Sequence, residues 1–491
     1  MPERSLDFGI IILYLIGVTI FGVQFRKRQA SLKDYFLGGK SSPWWAISLS
    51  IVAAETSTLT IIGTPALAFG SDLGFLQVVF GYLVARILVC ILFIPQYRRG
   101  QMYTAYELME RRFGPRLRRF TSSTFLVTRS LAEGVRVFAI SLVVSVVLDT
   151  GDLESIVLIT ALTLFYTFHG GMTAVIWTDV VQMVLYVAGA LLSAVFILEQ
   201  IPGGWSQVVQ VAEVAGKFQI FDFHFAPTAD FFSRTYTFWA GLLGGCFLAT
   251  ATHGTDQLIV QRLLSARDER ESKLALLASW GVIFVQFSIF LVIGVMLWVF
   301  YQDAGLIAPE PRDRLYPFFI WHYLPPVVSG IAVAAVLAAA MSNLSAALNS
   351  LASATVVDFY LPWKGETVES SGKRHLKISR WVTLIWGLVL LGIAILARQW
   401  GSVLEAGLAI ASIPLGALLG VFALGVLTKR VSENAAIAGM IAGFAVILFV
   451  RFGTSIAWTW YVVIGAMVTF WFALLYAAVA IRFMRKTSLD T

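Results

Sequence analysis

The stretch ISLSIVAAETSTLTIIGTPALAFG, residues 47–70, decides the fold, because an apolar helix gives way there to Glu, Thr and Ser. A second stretch, FWAGLLGGCFLATATHGTDQLIVQR at 238–262, carries glycines and a polar run inside an equally apolar segment. Each predicts a helix that is interrupted within the membrane. Paired interrupted segments in two halves of a chain indicate an inverted-repeat transporter with its site at the bilayer midplane. The alternative is that the glycines only allow close helix packing.

The composition around these stretches is that of a membrane protein. Of 491 residues, 58% are hydrophobic and 13% are charged, and the mean hydropathy is +0.80. A soluble domain has about 25% charged residues, so a soluble enzyme, a nucleic-acid-binding protein and a disordered scaffold are excluded. The sequence predicts an all-α polytopic membrane protein with about 13 spans, each near the ~20 residues that cross a bilayer. We place them at 7–25, 43–70, 74–96, 120–149, 153–170, 174–201, 236–263, 276–301, 318–360, 379–398, 402–427, 433–451 and 456–481.

The distribution of Lys and Arg predicts the orientation. If the N-terminus lies outside, 26 of the 36 basic residues fall in cytoplasmic loops and seven fall in outer loops. Cytoplasmic loops of membrane proteins carry the excess of Lys and Arg. The chain is therefore expected in the cell (inner) membrane, with its N-terminus outside and its C-terminus in the cytoplasm.

Several ionisable residues fall within the predicted spans, where they are costly and usually functional. Arg129, Glu133 and Arg136 are spaced so that they share one helix face. Arg136 could clamp a substrate carboxylate, since a guanidinium matches that geometry. The alternative is a structural ion pair that fixes the bundle. We expect Arg86 to have a structural or gating role.

Four motifs occur in an order and spacing typical of one family. They are GGMTAVIWTDVVQ at 170–182, DQLIVQR at 256–262, AAAMSNLSAALNS at 338–350 and LGVFALG at 419–425. With these motifs the chain resembles the sodium:solute symporter family. The resemblance implies a single transporter domain, 1–491, with a LeuT-like fold. It has a leading helix at 7–25, inverted five-helix repeats at 43–201 and 236–427, and two C-terminal helices at 433–481.

The resemblance also implies the activity, which is import of a small organic solute together with Na+ by alternating access. Na+ is the expected coupling ion, and no Lys replaces it, so proton coupling is the weaker alternative. A solute sensor that acts through a separate signalling partner is another. A membrane enzyme would need a nucleophile, base or metal cluster at one depth, and none is visible. The expected partners are the solute, Na+ and the lipid bilayer; no nucleic acid and no obligate protein partner is evident.

The main sodium site implied by the resemblance joins the first helix break to a later helix. Its oxygens would come from the backbone of Ala53, Thr56 and Ala339 and from the side chains of Ser342 and Asn343. The family usually has Ser or Thr where this chain has Asn343. An amide oxygen can still ligate sodium, so we expect the site to be retained with altered geometry.

Some relatives have a second sodium site, and two residues match it here. These are Asp179 and Ser345, but Ala346 stands where another hydroxyl is expected. Asp179 could instead be a gating carboxylate.

The substrate site implied by the resemblance gathers polar side chains around both helix breaks. The candidates are Glu55, Ser57, Thr60, Gln77, Arg136, Thr252 and His253. A carboxylate facing such a cavity must be paired or protonated. With Arg136 opposite Glu55, an organic acid, a zwitterion or a sugar acid fits better than a neutral sugar.

Overall fold

A computed structural model describes residues 4–24, 32–99, 102–148, 151–225, 228–310, 312–368, 373–397 and 403–487. Within those ranges the chain forms α-helices and no named β-strand. The first eleven helices are α1 (Ser5–Gln24), α2 (Leu32–Leu37), α3 (Trp44–Glu55), α4 (Thr58–Gly70), α5 (Leu76–Leu92), α6 (Ile94–Arg98), α7 (Glu107–Arg112), α8 (Pro115–Leu148), α9 (Asp152–Gln200), α10 (Gly204–Val214) and α11 (Ala229–Ser233). The others are α12 (Gly245–Gly254), α13 (Gln257–Leu264), α14 (Glu269–Asp303), α15 (Leu315–Tyr323), α16 (Val328–Thr355), α17 (Leu361–Lys364), α18 (Lys373–Ala397), α19 (Val403–Leu427), α20 (Glu433–Gly453) and α21 (Tyr461–Thr487).

The helices that can cross a membrane agree with the all-α polytopic prediction. In the described part of the chain, nine helices are long and apolar enough, and α3 with α4 forms a tenth span bent by 62°. The other predicted spans, 120–149, 153–170 and 236–263, lie in helices that are more polar or are interrupted. The number 13 therefore stays a prediction.

The first break falls between α3 and α4, as the sequence predicts. The N–H of Thr56 still donates to the carbonyl of Val52 at 2.8 Å, but the N–H of Ser57 turns to the hydroxyl of Thr60 at 3.3 Å. The N–H of Thr60 then bonds the carbonyl of Ser57 at 2.9 Å. The carbonyls of Ala53 and Thr56 are thus released from the helical ladder, because the N–H groups four residues on have other acceptors.

The second break lies between α12 and α13, where Asp256 begins the new helix. Its carboxylate accepts the N–H of Leu258 at 2.9 Å, which is the usual way to cap a helix N-terminus. Three of the four glycines of this segment, Gly241, Gly244 and Gly245, lie well before the break, in a π-helical stretch at Ala240–Gly244 and in the first turn of α12. A Cβ on Gly245 would lie 2.4 Å from the carbonyl oxygen of Val78 in α5. Close packing therefore explains these glycines, and polar residues make the break.

One predicted boundary is corrected. The segment 318–360 is not continuous, because α15 ends at Tyr323 and α16 begins at Val328. Pro325 and Pro326 lie between them, and consecutive prolines cannot supply helical N–H donors. The predicted boundary between the spans 153–170 and 174–201 coincides with a kink in α9, where the backbone of Gly171 is non-helical (φ +57°).

The central helix of the bundle is α16. It packs against α9, α8 and α1, and its residues from Ala332 to Ala354 are buried. It also packs against both α3 and α4. Among the polar residues of α16, Asn343 contacts the first helix break.

Candidate functional site

A cavity of about 190 Å³ lies between the two helix breaks. Both broken segments line it, with α8 and α19 on other sides. Its polar lining includes Glu55, Ser57, Thr60, Arg129, Arg136, Thr252, Asp256 and Ser412. Aromatic rings complete it, contributed by Phe75, Tyr82, Phe125, Tyr236 and Phe287. A small apolar-walled cavity with a few convergent polar groups is the usual form of a small-molecule site.

Glu55 joins the two breaks at the end of α3. Its Oε2 lies 2.6 Å from Nη2 of Arg86, and its Oε1 lies 2.7 Å from Nε2 of His253. Arg86 is fully buried and also donates to the hydroxyl of Ser279 at 3.0 Å. Both carboxylate oxygens therefore have protein partners, so the site does not need an ammonium group on its ligand to balance Glu55.

The three charged residues of α8 share one face, as their spacing predicts. Oε1 of Glu133 accepts from Nη2 of Arg129 at 2.7 Å. The same oxygen also accepts from Nη1 of Arg136. Arg129 makes a second ion pair with Asp256, at 3.2 Å. The side chain of Arg136 is 21% exposed, against 11% for Arg129. Arg136 pairs only with the carboxylate of Glu133 among the described residues, whereas Arg129 pairs with two carboxylates. Because its side chain is also the more exposed, Arg136 is better placed than Arg129 to bind an anion.

Three of the other substrate candidates line the cavity, and two do not. Ser57 and Thr60 reach it from the start of α4, and Thr252 reaches it from α12. His253 is fully buried behind the lining, where it contacts Glu55. Gln77 does not line the cavity. Its amide nitrogen donates to the carbonyls of Gly74 and Tyr236, and its amide oxygen accepts the N–H of Asp222.

The segment 202–235, for which the sequence suggests no role, is tied to the ends of α4 and α5. Lys217 Nζ donates to the carbonyls of Phe69 at 2.8 Å and Ser71 at 2.7 Å. A cation at a helix C-terminus neutralises its partial negative charge. Gln77 accepts the N–H of Asp222 at 2.9 Å. Gln77 therefore holds this connection in place beside the cavity.

Two of the candidate sodium ligands, the carbonyls of Ala53 and Thr56, lie together at the first break, and Asn343 contacts both in an unexpected way. Its Nδ2 donates to the released carbonyls of Ala53 at 3.2 Å and Thr56 at 2.7 Å. The hydroxyl of Ser342 points elsewhere and donates to Oδ1 of Asp179 at 2.6 Å. Ala339 is fully buried one turn earlier in α16.

The second candidate site contains an arginine. Asp179 is fully buried, and its Oδ2 accepts from Nη2 of Arg262 at 2.8 Å and from the hydroxyl of Ser50. Arg262 in turn donates to the backbone and hydroxyl oxygens of Ser50. The hydroxyl of Ser345 is turned to the carbonyl of Ser342 at 2.9 Å. The guanidinium thus supplies the positive charge that Asp179 requires, and the pair links α3, α9, α13 and α16.

Sequence reasoning missed two members of the site. It gave no role to Asp256, whose carboxylate both caps α13 and pairs with Arg129. It also missed Ser412 in α19, which lines the cavity beside Pro414. A proline inside an apolar span was the available signal for α19. The partners of Glu55 carried no local signal, because they are distant along the chain.

Outside the membrane-spanning segments, Glu107 in α7 lies in a polar cluster. It accepts the N–H groups of Tyr103 at 2.8 Å and Thr104 at 2.9 Å. Burial raises its pKa from 4.5 to about 7. The folded state therefore binds this proton more tightly than the unfolded chain does.

This shift predicts a pH dependence of stability. The contribution of Glu107 is most favourable below its unfolded pKa of 4.5 and is lost as the pH rises to about 7. We expect the loss to reach up to about 3 kcal/mol and to be absent in Glu107→Gln, whose amide oxygen can still accept both N–H groups. Thermal melting of both proteins between pH 4.5 and 8 measures this. Parallel pH curves for the two proteins would contradict it.

Comparison with known proteins places this architecture in a family. The model of the sodium:solute symporter family matches residues 35–443. The chain is 30% identical to the sodium/sialic acid symporter NanT of Aliivibrio fischeri, over 94% of this chain and 91% of that protein. It is also 30% identical to the human sodium/iodide cotransporter, over 92% of this chain and 70% of that protein. Bovine sodium-coupled monocarboxylate transporter 2 is 29% identical, over 91% of this chain and 72% of that protein.

Solved structures agree with this assignment. A substrate-bound, outward-open Na+-coupled sialic acid symporter superposes with a TM-score of 0.87 at 28% identity, covering 96% of this chain and 98% of that one. Mhp1, a nucleobase-cation-symport-1 family transporter in a closed conformation, has a TM-score of 0.57 at 15% identity, covering 92% of this chain and 94% of that one. This likeness supports the LeuT-like fold and nothing further. The family model covers most of the chain, and the relatives match it nearly from end to end. The chain belongs to the sodium:solute symporter family.

Proposed function

We propose that this protein imports a small organic anion, such as a sugar acid or another monocarboxylate, together with Na+ by alternating access. The observation that carries the proposal is Arg136, which opens into the cavity between the two helix breaks. A guanidinium at that place can bind a carboxylate through two parallel hydrogen bonds. Glu55 already has an ion pair with Arg86 and a contact with His253, which favours an acid over a zwitterion as the solute.

The relatives support an anionic solute. The names of the most similar ones specify sialic acid, iodide or monocarboxylates. These solutes differ in size but share a single negative charge at neutral pH. An arginine in the cavity is the feature of this chain that matches what they have in common.

The proposal assigns roles to the remaining candidate residues. Ser57, Thr60 and Thr252 would bind hydroxyl or carbonyl groups of the solute, because they line the same cavity as Arg136. Gln77 would hold the outer connection at 202–235 in place. His253 would position the carboxylate of Glu55. The ion would lie at the first break, with ligands from Ala53, Thr56, Ala339, Ser342 and Asn343. Asp179, with Ser345 nearby, would act as a gating carboxylate paired with Arg262 rather than as a second ion site.

The same proposal fixes the topology. It places 13 spans in the cell membrane, with the N-terminus outside and the C-terminus in the cytoplasm, as the excess of basic residues favours. The repeats at 43–201 and 236–427 each begin with a broken helix, and Glu55 and His253 bring the two breaks together. Such a pairing is typical of an inverted-repeat transporter.

Binding measurements on the purified protein test the choice of solute. A ligand that binds only the folded state stabilises it by about 2.7 kcal/mol at 100 times its Kd. We expect N-acetylneuraminic acid or lactate to raise the melting temperature in NaCl and to have a much smaller effect in choline chloride. N-acetylmannosamine, a neutral sugar, is the control and should have no effect. Equal stabilisation by the neutral sugar, or by the acid in choline chloride, would contradict the proposal.

A further inference from the structure

The amide of Asn343 contacts two of the carbonyls that are proposed to ligate sodium at the first helix break. The residue is 2% exposed, and its two N–H bonds are directed at the carbonyls of Ala53 and Thr56. Carbonyl oxygens only accept, so in the absence of a cation the NH₂ side of the amide must face them. A Ser or Thr hydroxyl has one hydrogen and cannot donate to both. Asn343 thus satisfies both released carbonyls by itself.

The other side of this amide is unsatisfied. Oδ1 of Asn343 is buried without a hydrogen-bond partner among the described residues, and so is Oε2 of Glu133. Both residues line a second, smaller cavity of about 10 Å³ between α8 and α16. Two acceptors at one buried cavity cannot bond each other, and a buried acceptor without a donor is unfavourable. A donor placed between them would remove the conflict.

We propose that the side-chain amide of Asn343 has two orientations. In one it competes with sodium for the carbonyls of Ala53 and Thr56, and in the other, which it takes when sodium is bound, it forms a hydrogen bond with Glu133. Without the ion, Nδ2 bonds the carbonyls of Ala53 and Thr56. When sodium enters between those carbonyls, the amide turns over, Oδ1 becomes a ligand of the ion, and Nδ2 donates to Oε2 of Glu133. No covalent bond or proton is exchanged, and the inference rests on the proposed sodium coupling.

The amide would connect the ion to the solute. Glu133 holds Arg129 and Arg136 through its other oxygen. A new donor at Oε2 draws negative charge away from that contact, so Arg136 becomes freer to bind the carboxylate of a solute. Sodium and solute would then favour each other's binding, and such a coupling is reciprocal.

Sodium titrations of the purified protein without solute test the competition. In Asn343→Asp the internal donor is replaced by an anionic ligand, so we expect the half-saturating Na+ concentration for thermal stabilisation to fall at least about tenfold. In Asn343→Ser the two carbonyls lose their donor, so the melting temperature in choline chloride falls and the rise on adding Na+ is larger than in wild type. Asn349→Asp is the matched control, because it adds the same charge to α16 beside Gln261 and away from the break.

The outcomes separate the inference from the proposed function. Unchanged Na+ responses in both Asn343 variants, or an equal shift in Asn349→Asp, would overturn the inference even if the protein transports an acid with sodium. The link to Glu133 is tested by Glu133→Gln, which should weaken Na+ binding several-fold in wild type and have no effect in the Asn343→Ser background. Equal effects in both backgrounds would contradict the turnover of the amide. Failure of every organic acid to bind would instead contradict the proposed solute class.

Discussion

Arg136→Ala is expected to lower the apparent affinity for the solute by about 10- to 100-fold and to leave folding intact. Hydrogen bonds to charged groups contribute about 1.5–3 kcal/mol, and each 1.4 kcal/mol is a factor of ten. The remaining structure tolerates the change because Glu133 keeps its ion pair with Arg129. Arg136→Lys keeps the charge but loses the planar fork, so we expect an intermediate loss.

Competition binding with the acid that stabilises wild type best measures this effect. Arg267→Ala is the control, since Arg267 is 58% exposed and pairs with Glu271, and neither residue lines the cavity. An Arg136→Ala protein that binds the acid as tightly as wild type would show that the carboxylate is bound elsewhere in the cavity.

Asp179→Ala is expected to cause the largest loss of stability. It leaves the guanidinium of Arg262 buried without its ionic partner, and removing one member of a buried ion pair costs about 3–5 kcal/mol. The hydroxyls of Ser50 and Ser342 lose an acceptor at the same time. We expect a strongly reduced melting temperature and a poor yield of monodisperse protein.

Replacing both members of the pair distinguishes an electrostatic cause from lost packing. The double variant Asp179→Leu with Arg262→Met should recover much of the stability, because buried ion pairs can be replaced by apolar residues of similar volume. The two single variants should each be less stable than the double variant. Thermal melting of the three proteins decides this, and a double variant less stable than either single one would exclude the ion pair as the source of the loss.

The sequence predicts the fold well where local chemistry determines structure. The change from apolar residues to Glu-Thr-Ser predicts the break at Thr56, because hydroxyls next to released backbone groups offer bonds outside the helix. Gly63 and Pro65 suggest a break nearby, yet both lie inside α4. Glycine in a membrane helix can mark either a break or close packing, and the approach of the Val78 carbonyl to Gly245 shows that close packing applies there.

The site was less predictable, since its contacts join residues far apart in the chain. The spacing of Arg129, Glu133 and Arg136 predicts a shared face because the helix repeats every 3.6 residues. No spacing links Glu55 to His253, or Asp179 to Arg262. The sequence shows that Asn343 replaces a hydroxyl, but the direction of its amide depends on where two carbonyls of another helix are released.

Uptake into proteoliposomes tests the central claim most directly. The measurement compares accumulation of radiolabelled N-acetylneuraminic acid and lactate under an inward gradient of Na+, of K+ or of protons, with Arg136→Ala as the low-affinity control. The proposed function predicts that at least one of these acids accumulates above its external concentration only with the Na+ gradient, and that the variant accumulates much less of it at the same concentration. Uptake that is equal under all three gradients, or is driven by protons alone, would contradict sodium-coupled import of an organic anion.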